Sequence, residues 1–171
     1  MATLTVGTDK QFQTVAAAIA ASQDGDTIQA DAGTYTNDFA HITTDITLTA
    51  VGGLVHLNAT VAPPDGKAIL TTDGNITING FEFSGAAVAD RNGAGIRMQT
   101  GNLTINDCYF HHNENGILTS SEGGTLKIDD SEFAFNGNGN GLTHNLYVNG
   151  IASLIITDSY FHDASIGHEI K

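Results

Sequence analysis

Asn75–Phe83 (NITINGFEF), Asn102–Phe110 (NLTINDCYF), Thr125–Phe133 (TLKIDDSEF) and Ser153–Phe161 (SLIITDSYF) are four copies of one phrase. Each runs apolar, polar, apolar, then a two-residue turn, one small or apolar residue, one polar residue and Phe. The closing phenylalanines, Phe83, Phe110, Phe133 and Phe161, stand 27, 23 and 28 residues apart. Recurrence in that range marks stacked repeats, each too small to bury its own apolar face. The central pairs are Asn79-Gly80, Asn106-Asp107, Asp129-Asp130 and Thr157-Asp158. Gly, Asn and Asp tolerate the left-handed backbone of a sharp corner, so each phrase reads as strand, bend, strand.

After each Phe comes a loop of changing length and then a third strand. These are Gly95-Ile96-Arg97-Met98, Gly116-Ile117-Leu118-Thr119, Asn145-Leu146-Tyr147-Val148 and Glu169-Ile170-Lys171. Three strands, one tight corner and one variable corner per turn describe an all-β fold. It is a right-handed, single-stranded parallel β-helix with buried apolar ladders.

Upstream, Phe12, Val15 and Ile19 form an apolar stripe at helical spacing. The pattern predicts a capping helix over about residues 10–22, with Asp9 as N-cap and Asp24-Gly25 as its end. Such a helix would cover the open end of the strand stack. Strands are expected at Thr27–Ala30, Ile42–Thr49, Val55–Leu57 and Ala68–Thr71, separated by Gly- and Pro-containing turns. The chain thus divides into an N-terminal strand and cap (1–25), irregular first coils (26–73) and regular coils (74–171), all in one domain (1–171). Its last coil breaks off at Lys171, as expected of a truncated β-helix.

The composition suits this fold: 171 residues, 40% apolar, with 20 Gly and 2 Pro. The single cysteine, Cys108, excludes an internal disulfide. It aligns with Phe81, Ser131 and Ser159 and reads as a buried small residue. The net charge of −13 disfavours nucleic acid, which is bound mainly through Lys and Arg, and anionic membranes. No apolar run reaches the roughly 18 residues of a membrane-spanning helix. The N-terminus, MATLTVGTDK, lacks the basic and apolar regions of a signal peptide.

The segment Thr5–Tyr35 (TVGTDKQFQTVAAAIAASQDGDTIQADAGTY) is similar to the usual opening of the pectin-lyase-like superfamily: strand, capping helix, and a GDTI-type first rung ending in Gly-x-Tyr. The repeats from Gly74 resemble the generic repeat of those right-handed β-helices. Leu142–Lys171 also looks like a group of bacterial right-handed β-helix repeat proteins. The superfamily includes polysaccharide lyases, polygalacturonases, mannuronan C5-epimerases and phage tailspikes. The resemblance implies a polysaccharide partner and an extracellular or cell-surface location. It leaves calcium open as a cofactor, since calcium serves some members. Two departures stand out: the polygalacturonase aspartate pairs have no clear counterpart, and the Asp-Pro-His of the epimerases is absent.

Chemistry is expected on the strand after the variable corner. With Ile96, Ile117, Leu146 and Ile170 pointing inward, Arg97, Leu118, Tyr147 and Lys171 face outward. Alternation also predicts Asn145 and Glu169 outward, with His144 beside His168. β-Elimination from a uronate needs a cation for the carboxylate, a base for the α-proton and an acid for the leaving oxygen. C5-epimerisation shares its first half. His144, Tyr147, Lys171 and His168 are therefore the candidate catalytic residues. Arg97, Asn145, Glu169 and Leu118 are the candidate substrate contacts.

No metal ligand set is assigned. Glu169 and His168 point to opposite sides of a strand, and Gly80 breaks the column of Asp107, Asp130 and Asp158. His111, His112 and His162 read as solvated corner residues, and the Gly/Asn-rich loop 135–142 as a groove wall. The competing reading is a non-catalytic carbohydrate-binding or structural β-helix. The polar exposed rows offer no apolar seam from which to argue an oligomeric state.

Overall fold

The computed structural model describes all of Met1–Lys171. Its elements are β1 (Thr3–Val6), α1 (Val15–Ala21), β2 (Thr27–Thr36), β3 (Ala40–Ile42), β4 (Thr47–Asn58), β5 (Ala68–Asp73), β6 (Ile76–Asn79), β7 (Phe81–Ser84), β8 (Ala94–Thr100), β9 (Leu103–Asn106), β10 (Tyr109–His111), β11 (Asn115–Thr119), β12 (Thr125–Asp129), β13 (Glu132–Ala134), β14 (Leu146–Tyr147), β15 (Ser153–Thr157) and β16 (Tyr160–His162). Every strand pair is parallel. One sheet runs β15-β12-β9-β6-β4-β7-β10-β13-β16, and a second runs β14-β11-β8-β5-β3. The chain is a right-handed parallel β-helix. None of its helices is long and apolar enough to cross a membrane.

Register puts like on like. Phe83, Phe110, Phe133 and Phe161 pair in sequence across β7, β10, β13 and β16. Their rings stack at 4.8, 4.5 and 4.6 Å, tilted by only 7–8°. Ile78, Ile105 and Ile128 form a second buried column, and Leu70, Ile96, Ile117 and Leu146 a third.

The corners are held by hydrogen bonds repeated from coil to coil. Asp107, Asp130 and Asp158 take φ of 52°, 45° and 47°, and Gly80 takes 76°, at the tight bend. Beside that bend, Ser159 Oγ accepts the Ser131 N–H and Ser131 Oγ accepts the Cys108 N–H, both at 3.1 Å. Cys108 Sγ accepts the Phe81 N–H at 3.4 Å in the same way. The thiol is a serine substitute inside a column, and burial pushes its pKa up to about 12.

The variable corner has an asparagine ladder that the alternation pattern did not anticipate. Asn113 Nδ2 donates to Phe83 O, and Asn136 Nδ2 to Phe110 O, both at 2.9 Å. Asn113 Nδ2 also reaches Asn136 Oδ1 at 3.1 Å, and Asn136 Nδ2 reaches Asn145 Oδ1 at 2.8 Å. Asn145 Nδ2 donates to His162 O at 2.8 Å and to the Glu169 carboxylate. Asn145 is thus fully buried, and Glu169 closes the ladder while accepting the Ala164 N–H at 3.2 Å. This corrects the expectation that both side chains face outward. The preceding coils carry Gly95 and Gly116 at that position, where an added Cβ would lie 3.0 Å from Phe110 Cδ1 and 2.8 Å from Phe133 Cδ1. The column therefore points into the corner, toward the Phe stack.

Three N-terminal expectations are also corrected. α1 begins at Val15, with Thr14 as N-cap in place of Asp9. Phe12 instead makes a parallel bridge to Val6. The buried Asp38 carboxylate accepts the Val15 and Ala16 N–H groups at 2.6 and 3.0 Å, so the first turn is capped from outside the helix. The strand expected at Ile42–Thr49 is interrupted: β3 ends at Ile42 and β4 starts at Thr47. β4 then runs unbroken through the Val51-Gly52-Gly53 turn signal into Val55–Leu57.

Phe110→Ala should lower stability by about 3–5 kcal/mol in urea unfolding, the range for truncating a buried aromatic. Asn136→Ala should cost about 1–3 kcal/mol for each buried group left unpaired. A loss below about 0.5 kcal/mol at either site, the scale of a surface change, would contradict the ladders. Cys108 should stay unmodified by thiol reagents in the folded protein and react once unfolded.

Candidate functional site

The outer face of the second sheet brings part of the expected cluster together. Thr71, Arg97, Leu118 and Tyr147 pair in register on β5, β8, β11 and β14. The bridge from Leu146 to Ile170 puts Lys171 next in that column. Lys171 Nζ stands 5.5 Å from the Tyr147 ring centroid, within cation–π reach. His144 stacks on the same ring at 5.3 Å and 13°, and lies 5.1 Å from the His168 ring.

Burial separates these residues by what each can touch. Lys171 and His168 are exposed and Tyr147 is half-buried. The His144 side chain is fully buried. Its Nδ1 accepts the His168 N–H at 2.9 Å, which leaves the ring proton on Nε2 with no partner. Burial lowers the pKa of His144, and the nearby charges of Lys171 and His168 lower it further. His144 is therefore a neutral ring behind Tyr147, and as folded it cannot meet a polysaccharide directly. Leu118 faces outward but is covered, packing with Ala68, Ala94 and Tyr147.

Arg97 is half-buried and donates from Nε to Gln99 Oε1 at 3.2 Å. Burial lowers its pKa, but a guanidinium keeps its charge in proteins. Neither Arg97 nor Lys171 takes part in an ion pair. Glu114 and Glu169 are engaged elsewhere. Glu114 is buried and accepts the Val88 and Gly93 N–H groups at 3.0 and 2.7 Å, while Glu169 ends the asparagine ladder. Two cations without an ion-pair partner thus stand on one face of a protein whose net charge is −13.

A second polar face lies on β4, β7, β10, β13 and β16. Its outward column is His56, Glu82, Tyr109, Glu132, Tyr160. Beside it, the rings of Tyr109 and His111 lie 4.4 Å apart, and those of Tyr160 and His162 lie 4.2 Å apart. His111 Nε2 contacts Glu82 Oε1 at 2.8 Å, and His162 Nε2 contacts Glu132 Oε1 at 3.0 Å. His111 and His162 are thus paired, not merely solvated corners. Burial draws the His56 pKa below the usual imidazole value, although Glu82 opposes it. His162 moves the other way, raised by hydrogen bonds to Asp163 and Glu132. One group of three potential ligand side chains has all its ligand atoms within 4.8 Å of one another: His56, Glu82 and His111.

Sequence reading missed this trio, although a signal for it existed. Val55-His56-Leu57 is an earlier copy of the strand that closes each phrase, and it aligns His56 with Glu82 and Tyr109. The Asp107, Asp130 and Asp158 turns instead line an open groove of about 330 Å³ beside Tyr109, Glu132 and Tyr160. The largest concavity, about 670 Å³, lies at the N-terminal end between Gly7, Lys10, Asp31 and Tyr35. It contains none of the candidate residues, and convergent charged and aromatic groups are a better guide to a site than its size.

A family profile described as "Right handed beta helix region" matches residues 46–171. Among solved structures, the chain is similar to one described as "Crystal structure of pectate lyase Pel9A", at 16% identity and a TM-score of 0.57. The likeness covers 93% of this chain and 47% of that one, so the chain spans about half the length of that enzyme. At this identity the likeness concerns the fold. No curated protein matches the sequence. The coil-by-coil register and the family profile agree: the chain belongs to the right-handed β-helix family.

Proposed function

We propose that this β-helix acts on an acidic, uronate-containing polysaccharide laid along the outer face of its second sheet. The observation that carries the reading is Tyr147, an aromatic platform with Lys171 over its ring, in one column with the unpaired Arg97. Three rungs separate Arg97 from Lys171, about 14 Å at roughly 4.8 Å per rung. That spread suits carboxylates on different sugars of one chain. The similarity in fold to a pectate lyase adds support.

The chemistry proposed is β-elimination or C5-epimerisation. Lys171 neutralises the carboxylate of the sugar bound at the Tyr147 hydroxyl, which acidifies the C5 proton. His168 takes that proton. In elimination, the C4–O bond breaks, a C4–C5 double bond forms, and the Tyr147 hydroxyl protonates the departing oxygen. In epimerisation, C5 is reprotonated from its opposite face and no bond to oxygen breaks. Arg97 holds a carboxylate further along the chain. His144 is a positioning residue that supports the Tyr147 ring. Such glycans are met outside the cell, where we place the protein.

A second reading, glycan binding without turnover, draws on the burial of His144. A ring sealed behind Tyr147 stiffens a stacking platform but cannot exchange protons with a substrate.

Incubation with pectate, alginate and chondroitin should yield unsaturated product, read by ultraviolet absorbance, or C5-inverted sugar, read by proton NMR. Tyr147→Phe should lower kcat by about 10²–10⁴-fold, the range for losing a general acid–base group, and Lys171→Ala by about 10²–10³-fold, the range for losing one electrostatic contact to developing charge. Arg97→Ala should raise KM with kcat little changed, the mark of a binding contact. Retention on a uronate gel without turnover, lost in Tyr147→Ala, would establish the binding reading. Neither turnover nor retention would overturn both.

A further inference from the structure

The trio His56, Glu82 and His111 lies on a different sheet from the proposed glycan track and is not needed by it. Its three side chains come from three successive coils, on β4, β7 and β10. We propose that they form a binding site for one divalent transition-metal ion of the zinc class, clipping these coils together.

Ligand type, distance and support all bear on this. Two imidazoles and a carboxylate are a donor set suited to zinc and its neighbours, and not to calcium, which takes oxygen ligands. With metal–ligand bonds of about 2.1 Å, tetrahedral ligand atoms stand about 3.4 Å apart. Here Glu82 Oε1 lies 2.8 Å from His111 Nε2 and 3.8 Å from His56 Nε2, which brackets that separation. The ring centroids of His56 and His111 are 6.0 Å apart and tilted by 40°, and both rings turn Nε2 toward the same Glu82 oxygen. The three side chains are 16–23% exposed. An ion there is sheltered by protein and still open to water as a fourth ligand.

The groups behind the ligands also fit. His111 Nδ1 lies 2.8 Å from His112 Nδ1. With the proton of that bond on His111, its Nε2 lone pair is directed at the site, as outer partners of metal-bound histidines commonly arrange. His56 Nε2 contacts Ser84 Oγ at 2.7 Å, a bond the ion would replace. A second His–Glu pair, His162 with Glu132, recurs further along the same face. There Tyr109 occupies the column position that His56 fills beside Glu82, so no third ligand exists. The protein thus contains one three-ligand site and one two-ligand control.

The test uses tag-free protein stripped with EDTA and titrated with Zn²⁺ by calorimetry and with Co²⁺ by visible absorption, in the absence of glycan. One equivalent should bind, the Co²⁺ form should show d–d bands, and Zn²⁺ should raise Tm. His56→Ala, His111→Ala and Glu82→Gln should each weaken binding at least tenfold and remove most of the Tm rise. His162→Ala, and the His144→Ala/His168→Ala pair, should leave both unchanged. His56→Tyr copies the residue that the next Glu already faces, and circular dichroism checks its fold; it too should lose the site. Absence of saturable binding overturns the proposal, as does binding that survives His56→Tyr or that is lost in His144→Ala/His168→Ala. Because glycan is absent, failure here is separate from failure of the uronate reading.

Discussion

Side chains in this protein are positioned by an in-register parallel stack. Each strand pairs with the corresponding strand one coil away, so a side chain's neighbours along the axis are fixed by its place in the repeat. A slip of one residue would exchange the inner and outer faces of a strand. The columns at the corners resist that slip. The Cys108–Ser131–Ser159 column satisfies backbone N–H groups at the tight bend. The Asn113–Asn136–Asn145 ladder satisfies the carbonyls of Phe83, Phe110 and His162. These polar columns are buried and specify register, while the Phe stack beside them supplies apolar burial.

The repeat made most of this arrangement legible. Phe83, Phe110, Phe133 and Phe161 close four copies of one phrase, and Ile96, Ile117 and Leu146 stand at matching places in the strands that follow. What escaped were positions where the backbone departs from two-residue alternation. His112 and Phe135, at φ of 53° and 56°, turn left-handed just after β10 and β13. The residue that follows each is Asn113 or Asn136, turned inward by a corner that alternation does not describe. Asn145 was placed outward for the same reason, since counting back from Leu146 assumes a straight strand. Phe12 fits the apolar stripe of a helix starting at Lys10, but its backbone bridges to Val6 and its side chain packs against the core from outside the helix. His56 and His111 are 55 residues apart in sequence and meet only because the chain makes two turns between them, with the coil of Glu82 in the middle.

The outer faces carry different chemistry on one scaffold. The outer column of the second sheet carries Arg97, Tyr147 and Lys171. The other face alternates histidine or tyrosine with glutamate, and pairs each Glu with a His of the next coil. Burial distinguishes them further. Arg97 and Lys171 have no partner of opposite charge in the protein, whereas the histidines of the other face are already bonded. A free charge is available to a ligand; a bonded imidazole takes one only by exchanging a partner.

Contacts between the phenylalanine rings test the register most directly. NOE spectra of phenylalanine-labelled protein, assigned with single Phe→Leu variants, report ring-to-ring distances in solution. In-register coils predict an unbroken series linking Phe83 to Phe110, Phe110 to Phe133 and Phe133 to Phe161, at centroid separations of 4.5–4.8 Å, with no cross-peak between Phe83 and Phe133. A missing neighbour contact, or one that skips a coil, would contradict the stacking from which both faces derive their composition.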